Sequence, residues 1–212
     1  RGQKEAKTII HNWARARSLP CSAPANLKAI SLEKELELLK PDCLIVASYG
    51  KMLPESILKI PTKLPLNVHP SLLPKYRGAA PIARQLFDGE KETGVTIAKI
   101  IKQLDAGEMI KQERLLIEEQ DNAISLGEKL AKRGANLLFR CLHELEQGLV
   151  QLTPQDESKA TYAHKLTKEM GHIDWSQSAT KIHNQIRAFA PWPSAFTFWK
   201  GKRIKILKSE LL

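Results

Sequence analysis

Apolar residues in this chain recur at helical spacing in some stretches and run unbroken over strand length in others, and the two patterns alternate. Ile9, Ile10, Trp13 and Ala14, ringed by Lys4, Lys7, Arg15 and Arg17, predict an amphipathic helix from residue 4 to about 18 that Pro20 ends. Ser31 is placed to cap a second helix, whose Leu32, Leu36 and Leu39 share a face and which Pro41 stops. The run Cys43-Leu44-Ile45-Val46-Ala47 reads as a central parallel strand buried on both faces. A short helix near Pro54 to Leu58 follows, then a strand over Leu64 to Val68 that ends at His69, a helix opened by Pro81, and a strand from Gly94 to Ile100. Residues 123–147 predict a long helix with Leu126, Leu130, Leu137, Leu138, Cys141, Leu142 and Leu145 inward and Gly148 as its stop.

This alternation predicts an α/β fold with a doubly wound, mostly parallel, Rossmann-like sheet over residues 1–148. Residues 149–168 are polar and turn-rich and read as a linker. Residues 169–212 begin a second unit. There Ser178 precedes a helix carrying Ile182, Ile186 and Phe189, and strand-like stretches at Phe196 to Trp199 and Ile204 to Leu207 flank a turn at Lys200-Gly201. A helix and one hairpin cannot close a core by themselves.

Composition narrows the setting. The 212 residues, 42% of them hydrophobic, leave room for one full domain and part of a second. No apolar run approaches the roughly 20 residues that cross a bilayer, and the N-terminal stretch is too polar for a secretory signal, so a cytoplasmic protein is expected. Cys21, Cys43 and Cys141 are far apart and odd in number, which predicts reduced core thiols; the six histidines lack metal-ligand spacing, and no metal is expected. A net charge of +10 favours a polyanionic partner by steering and counterion release, though charge alone fits a solvated surface equally well.

The candidate chemistry lies in Asn67-Val68-His69-Pro70-Ser71-Leu72-Leu73-Pro74 and in Leu104-Asp105-Ala106-Gly107. Residues two apart on a strand share a face, so Asn67 and His69 project together. Pro70 and Pro74 lack the amide proton of a ladder, which makes Ser71 to Pro74 a loop at a strand end, where open α/β sheets bind small molecules. Asp105 follows the next strand. An amide, an imidazole and a carboxylate can together move an acyl group onto an amine, with the amide facing an oxyanion and the other two handling protons. Leu-Asp-Ala-Gly alone would also fit an ordinary turn.

The stretch Asn67 to Ile82, Leu104 to Gly107, Ile173-Asp174-Trp175-Ser176 and Ile186-Arg-Ala-Phe-Ala-Pro-Trp-Pro193 together resemble the methionyl-tRNA formyltransferases, members of the 10-formyltetrahydrofolate-dependent formyltransferase family. The resemblance spans nearly the whole chain and implies the formyltransferase fold, followed by the start of a smaller OB-like β-barrel domain that binds tRNA. Against that family, the chain is expected to lack the N-terminal strand region and most of the C-terminal domain. The implied reaction passes a formyl group from 10-formyltetrahydrofolate to the amine of methionyl initiator tRNA, in a monomeric enzyme.

By the same resemblance, Asn67, His69 and Asp105 are catalytic, and Ser71, Leu72, Leu73 and Pro74 contact the folate, with Tyr49-Gly50 bordering the pterin pocket. Arg1, Lys4 and Lys7 approach the tRNA acceptor arm, and Lys181 and Arg187 extend that track. Formylation of a small amine such as a nucleotide sugar, and a noncatalytic RNA-binding or folate-binding module, stay open at this point.

Overall fold

Residues 8–211 are described by a computed structural model. Helix α1 (Ile9–Ala16) starts at Thr8, whose side chain accepts from the His11 amide, and buries only Ala14. Helix α2 (Ile30–Leu39) begins one residue before Ser31, behind Ala29, so Ser31 lies inside the helix rather than capping it. Next come β1 (Leu44–Ala47), the one-turn α3 (Glu55–Leu58), β2 (Pro65–His69), α4 (Pro81–Asp88), β3 (Glu92–Lys99) and β4 (Met109–Leu116). Helix α5 (Ala123–Glu146) opens with a capping box in which the Asn122 side chain accepts from the Ser125 amide and the Ser125 hydroxyl accepts from the Asn122 amide. Helix α6 (Ala179–Ala188), capped by Ser178, and the hairpin β5 (Ala195–Trp199) and β6 (Lys202–Ile206) complete the order.

The first sheet is Rossmann-like but mixed, in the order β1-β2-β3-β4. Only β1 and β2 pair in parallel; β3 runs antiparallel to both of its neighbours. The expectation of a mostly parallel sheet is corrected here, and the cause is the direction of β3, which opposes β2 as well as β4. A hairpin-length connection over 100–108 forces the two strands it joins to be antiparallel. Strand β4 escapes a reading of the sequence because Lys111, Gln112, Glu113 and Arg114 interrupt its hydrophobic pattern; the strand is half-exposed along its length. Strand β1 is likewise not buried on both faces, since Ile45 is 42% exposed.

One face of this sheet carries the core. Leu66, Val95 and Ile97 pack with Leu126, Leu130, Leu137 and Cys141 of α5, Ala83 and Leu86 of α4, and Ala188 and Phe189 at the end of α6. Gly134 lets α5 settle closely: a Cβ there would lie 3.0 Å from Val68 Cγ1. Val68 therefore faces α5, and the strand's two-residue period sends Asn67 and His69 to the opposite face. Of the three cysteines, Cys141 is buried and Cys43 half-buried, but Cys21 is exposed and is no core thiol. Burial pushes the Cys141 thiol up to about 11.

The second sheet corrects the other architectural expectation. Among the described residues it consists of β5 and β6 alone, an open two-stranded ribbon and not an OB-like barrel. Closing a barrel takes strands enough to curl back on themselves, and two cannot satisfy each other's outer edges. The ribbon is stabilised otherwise. Lys200 and Gly201, both at positive φ, make the two-residue turn that matches strand twist, and α6 bridges a small cluster of Ile173, Ile186 and Ala195 to the main core, where Phe189 stacks on Phe87 at 5.2 Å.

Candidate active site

Strand β2 delivers Asn67 and His69 at the edge of the face away from α5, and the loop between β3 and β4 brings Asp105 to meet them. Asn67 Nδ2 donates to Asp105 Oδ1 at 3.0 Å. The Gly78 amide donates to Asp105 Oδ2 at 2.8 Å, and His69 Nδ1 lies 3.7 Å from the same oxygen. Asp105 adopts φ +50°, a left-handed conformation that Asp tolerates better than most side chains. The three residues named from sequence are thus one cluster.

His69 is 4% exposed, and its Nε2 sits 2.9 Å from the carbonyl of Tyr76. A carbonyl only accepts, so Nε2 carries the proton and Nδ1 presents a lone pair toward Asp105 in the neutral ring. Burial pulls the imidazole pKa below its ordinary value, with the Asp105 charge and the Tyr76 carbonyl opposing that shift. The ring is therefore a neutral base at pH 7.

The loop Ser71 to Pro74 divides by role. Leu73 is buried and lines a cleft with Asn67, Asp105, Tyr49, Met52, Ala98 and Leu104. Ser71 is buried with its hydroxyl donating to Lys75 O at 2.6 Å, and the Leu72 side chain crosses over Gly94, where a Cβ would come within 2.5 Å of it. What shapes the loop is Thr96 on β3. Its hydroxyl donates to Ser71 O at 2.6 Å and accepts from the Leu73 amide at 3.1 Å and from Gln112 Nε2 at 2.9 Å. Gln112 also donates to Leu73 O at 2.7 Å.

Sequence reasoning misses Thr96, Gln112 and Gly78. Thr96 is the residue whose period-2 position in Gly94 to Ile100 could draw notice, as a polar side chain in a fully buried strand. Lys181 and Arg187 are engaged within the chain: Lys181 Nζ donates to Phe87 O at 3.1 Å, and Arg187 Nη1 donates to the carbonyls of Glu118 and Asp121. Arg1, Lys4 and Lys7 lie outside the described residues.

The family model described as formyl transferase matches residues 1–142, and the one described as formyl transferase, C-terminal domain, matches 165–212. A methionyl-tRNA formyltransferase of Alkaliphilus oremlandii is 43% identical over 212 residues, covering 100% of this chain and 68% of the relative. The chain belongs to the methionyl-tRNA formyltransferase family. A second member, from Dictyoglomus thermophilum, is 46% identical over 211 residues, covering 99% of this chain and 68% of its own length.

These matches overturn the expectation that the N-terminal strand region and most of the C-terminal domain are lacking, since both family domains are represented along the chain. Membership makes the protein a transferase of one-carbon groups. Solved structures share the fold: a methionyl-tRNA formyltransferase from Clostridium thermocellum, at 17% identity, superposes with a TM-score of 0.71 over 95% of this chain and 86% of that one. HypX from Aquifex aeolicus in complex with tetrahydrofolic acid, at 22% identity, gives 0.73 over 84% of this chain and 31% of that one.

Proposed function

We propose that Asn67, His69 and Asp105 carry out the formyl transfer of this family, at the cleft they share with Leu73. The enzyme moves a formyl group from 10-formyltetrahydrofolate to the free amino group of methionyl-tRNA, which yields formylmethionyl initiator tRNA for translation initiation. The observation that carries the residue assignment is the convergence of Asn67 Nδ2 and His69 Nδ1 on the two oxygens of Asp105, at 3.0 and 3.7 Å.

In this reading the methionyl amine attacks the formyl carbon, and a tetrahedral oxyanion forms as the new C–N bond is made. Asn67 spends one N–H on Asp105, and its second faces the oxyanion; one such donor in a water-poor site is worth about 3–4 kcal/mol. The one proton released by the amine passes by way of the Asp105 carboxylate to His69 Nδ1. An imidazolium formed at Nδ1 would sit beside the Asp105 carboxylate, which offsets the cost of charging a buried ring. The C–N10 bond then breaks, and the proton ends on N10 of tetrahydrofolate.

Leu73 and Tyr49 line the cleft as walls for the folate ring, while Ser71, Leu72 and Pro74 support that wall from behind. Arg1, Lys4 and Lys7 contribute phosphate contacts to the tRNA, a role that rests on their charge. The reading extends to a cytoplasmic monomer. Free cysteines fit a reducing compartment, and among the described residues no helix is long and apolar enough to cross a membrane. Its test is formylmethionine release after deacylation, measured with 10-formyltetrahydrofolate and methionyl-tRNA. Alanine at Asn67, His69 or Asp105 should lower the rate by about two orders of magnitude or more; near-full activity in any of them removes that residue from the mechanism.

A further inference from the structure

Gln155 lies in the polar stretch between the two domain matches, yet its amide reaches back to the loop that holds Asp105. Its Nε2 donates to Asp105 O at 2.8 Å and to Gly107 O at 2.7 Å. Its Oε1 accepts from Arg77 Nε at 3.1 Å and Nη2 at 2.8 Å. Because a guanidinium only donates and a carbonyl only accepts, this surround leaves the amide one orientation. Arg77 is fully buried, and its other edge is gripped in bidentate fashion by Glu157, at 2.9 and 2.7 Å. Backbone bonds from Arg77 N to Thr161 O and from Ala163 N to Arg77 O fasten the same segment.

Burying a guanidinium is costly, and an ion pair seldom returns more stability than apolar packing would. What this arrangement does supply is a rigid amide under a loop that needs one. Asp105 sits at positive φ, and Gly107 just after it is pressed so close to β3 that a Cβ would fall 1.8 Å from Lys99 O. Through Gly78, the residue after Arg77, the same structure also holds Asp105 Oδ2. Backbone and side chain of Asp105 are thus fixed from one buried arginine.

We propose that Gln155, oriented by Arg77, is a positioning residue that holds the Asp105 loop in its reactive geometry. The inference rests on the catalytic reading of Asp105. Gln155→Glu is the informative variant: it keeps an acceptor for Arg77 and removes both donors to the loop, so the strap folds while the loop loses its tie. Steady-state kinetics with 10-formyltetrahydrofolate and methionyl-tRNA should show kcat lower on the order of 10- to 100-fold, with KM for both substrates little changed.

In an Asp105→Asn background the same substitution should cost nothing further, because residues that act as a unit are non-additive. Gln155→Leu provides a second variant lacking any charge. Unchanged kcat in both Gln155 variants, or a full additional loss in the Asp105→Asn background, overturns the proposal and leaves the reading of Asp105 standing. Near-full turnover by Asp105→Asn alone overturns that reading, and the positioning role falls with it.

Discussion

Thr96 offers the sharpest test of how the cleft is built. Its hydroxyl has one proton to donate and two lone pairs to accept with, and all three are in use, toward Ser71 O, the Leu73 amide and Gln112 Nε2. The side chain is fully buried, so no water can stand in for it. Thr96→Val keeps the shape and deletes these bonds. Gln112 retains Leu73 O, but Ser71 O and the Leu73 amide lose this partner. An unsatisfied buried group costs about 1–3 kcal/mol, so two cost roughly 2–6 kcal/mol. For a chain of this size that lowers Tm by roughly 5–20 °C. Thr96→Ser retains the hydroxyl and loses one methyl, worth about 1 kcal/mol. Thermal melts of the two variants should therefore separate widely, and because Leu73 lines the cleft, KM for 10-formyltetrahydrofolate should rise in Thr96→Val alone. Equal melting temperatures for the two variants would refute the reasoning, since the single methyl lost in Thr96→Ser is worth less than the two unsatisfied groups left by Thr96→Val.

His69, held neutral by burial, makes stability depend on pH. Its folded pKa lies below the unfolded value of about 6.5, so its contribution is fully present above pH 6.5 and is lost as pH falls toward the folded value. Urea unfolding at pH 7.5, 6.5 and 5.5 should show a smaller acid loss for His69→Asn than for the parent, and parallel curves would count against a neutral buried ring. Gly107→Ala places a Cβ 1.8 Å from Lys99 O and must move the Asp105 loop; formylation should fall by at least about tenfold, and an unaltered rate would mean that the loop yields freely. For the basic N-terminal segment, reversing the charge of Lys4 or Lys7 should reduce the slope of log tRNA affinity against log salt by about 1 per contact, whereas an unaltered slope takes that residue off the RNA.

Much of the active cluster is legible in the amino-acid sequence. Asn67 and His69 follow from a two-residue period ending against a proline, and α5 follows from an apolar stripe long enough to leave little choice. The direction of β3 is not legible, because period 2 says which residues share a face and nothing about which way the neighbour runs. Strand β4 is hidden by four polar residues in a row, Lys111 to Arg114. All four are satisfied by distant partners: Lys111 pairs with Glu144, Gln112 with Thr96, Glu113 with Arg133 and Arg140, and Arg114 with Glu92. Gln155 is out of reach for the same reason, since a neutral amide in a polar stretch carries no local sign of a partner 50 positions earlier. The OB-like barrel is a family inference that the two strands of the second sheet do not form.

The tie between Gln155 and the Asp105 loop also has a place in time. Synthesis runs from the N-terminus, so the loop emerges 50 residues ahead of the amide that fastens it, and Arg77 waits 78 residues for Gln155 and 80 for Glu157. At about 5–20 residues per second, the loop spends roughly 3–10 s on the ribosome without its clasp. All four strands of the first sheet precede residue 117 and can pair in that interval. A nascent chain stalled in that interval would hold Asn67, His69 and Asp105 in one place but not yet in one pose, and an enzyme that serves the start of translation would gain its own working geometry only after a later stretch of its own chain has been translated.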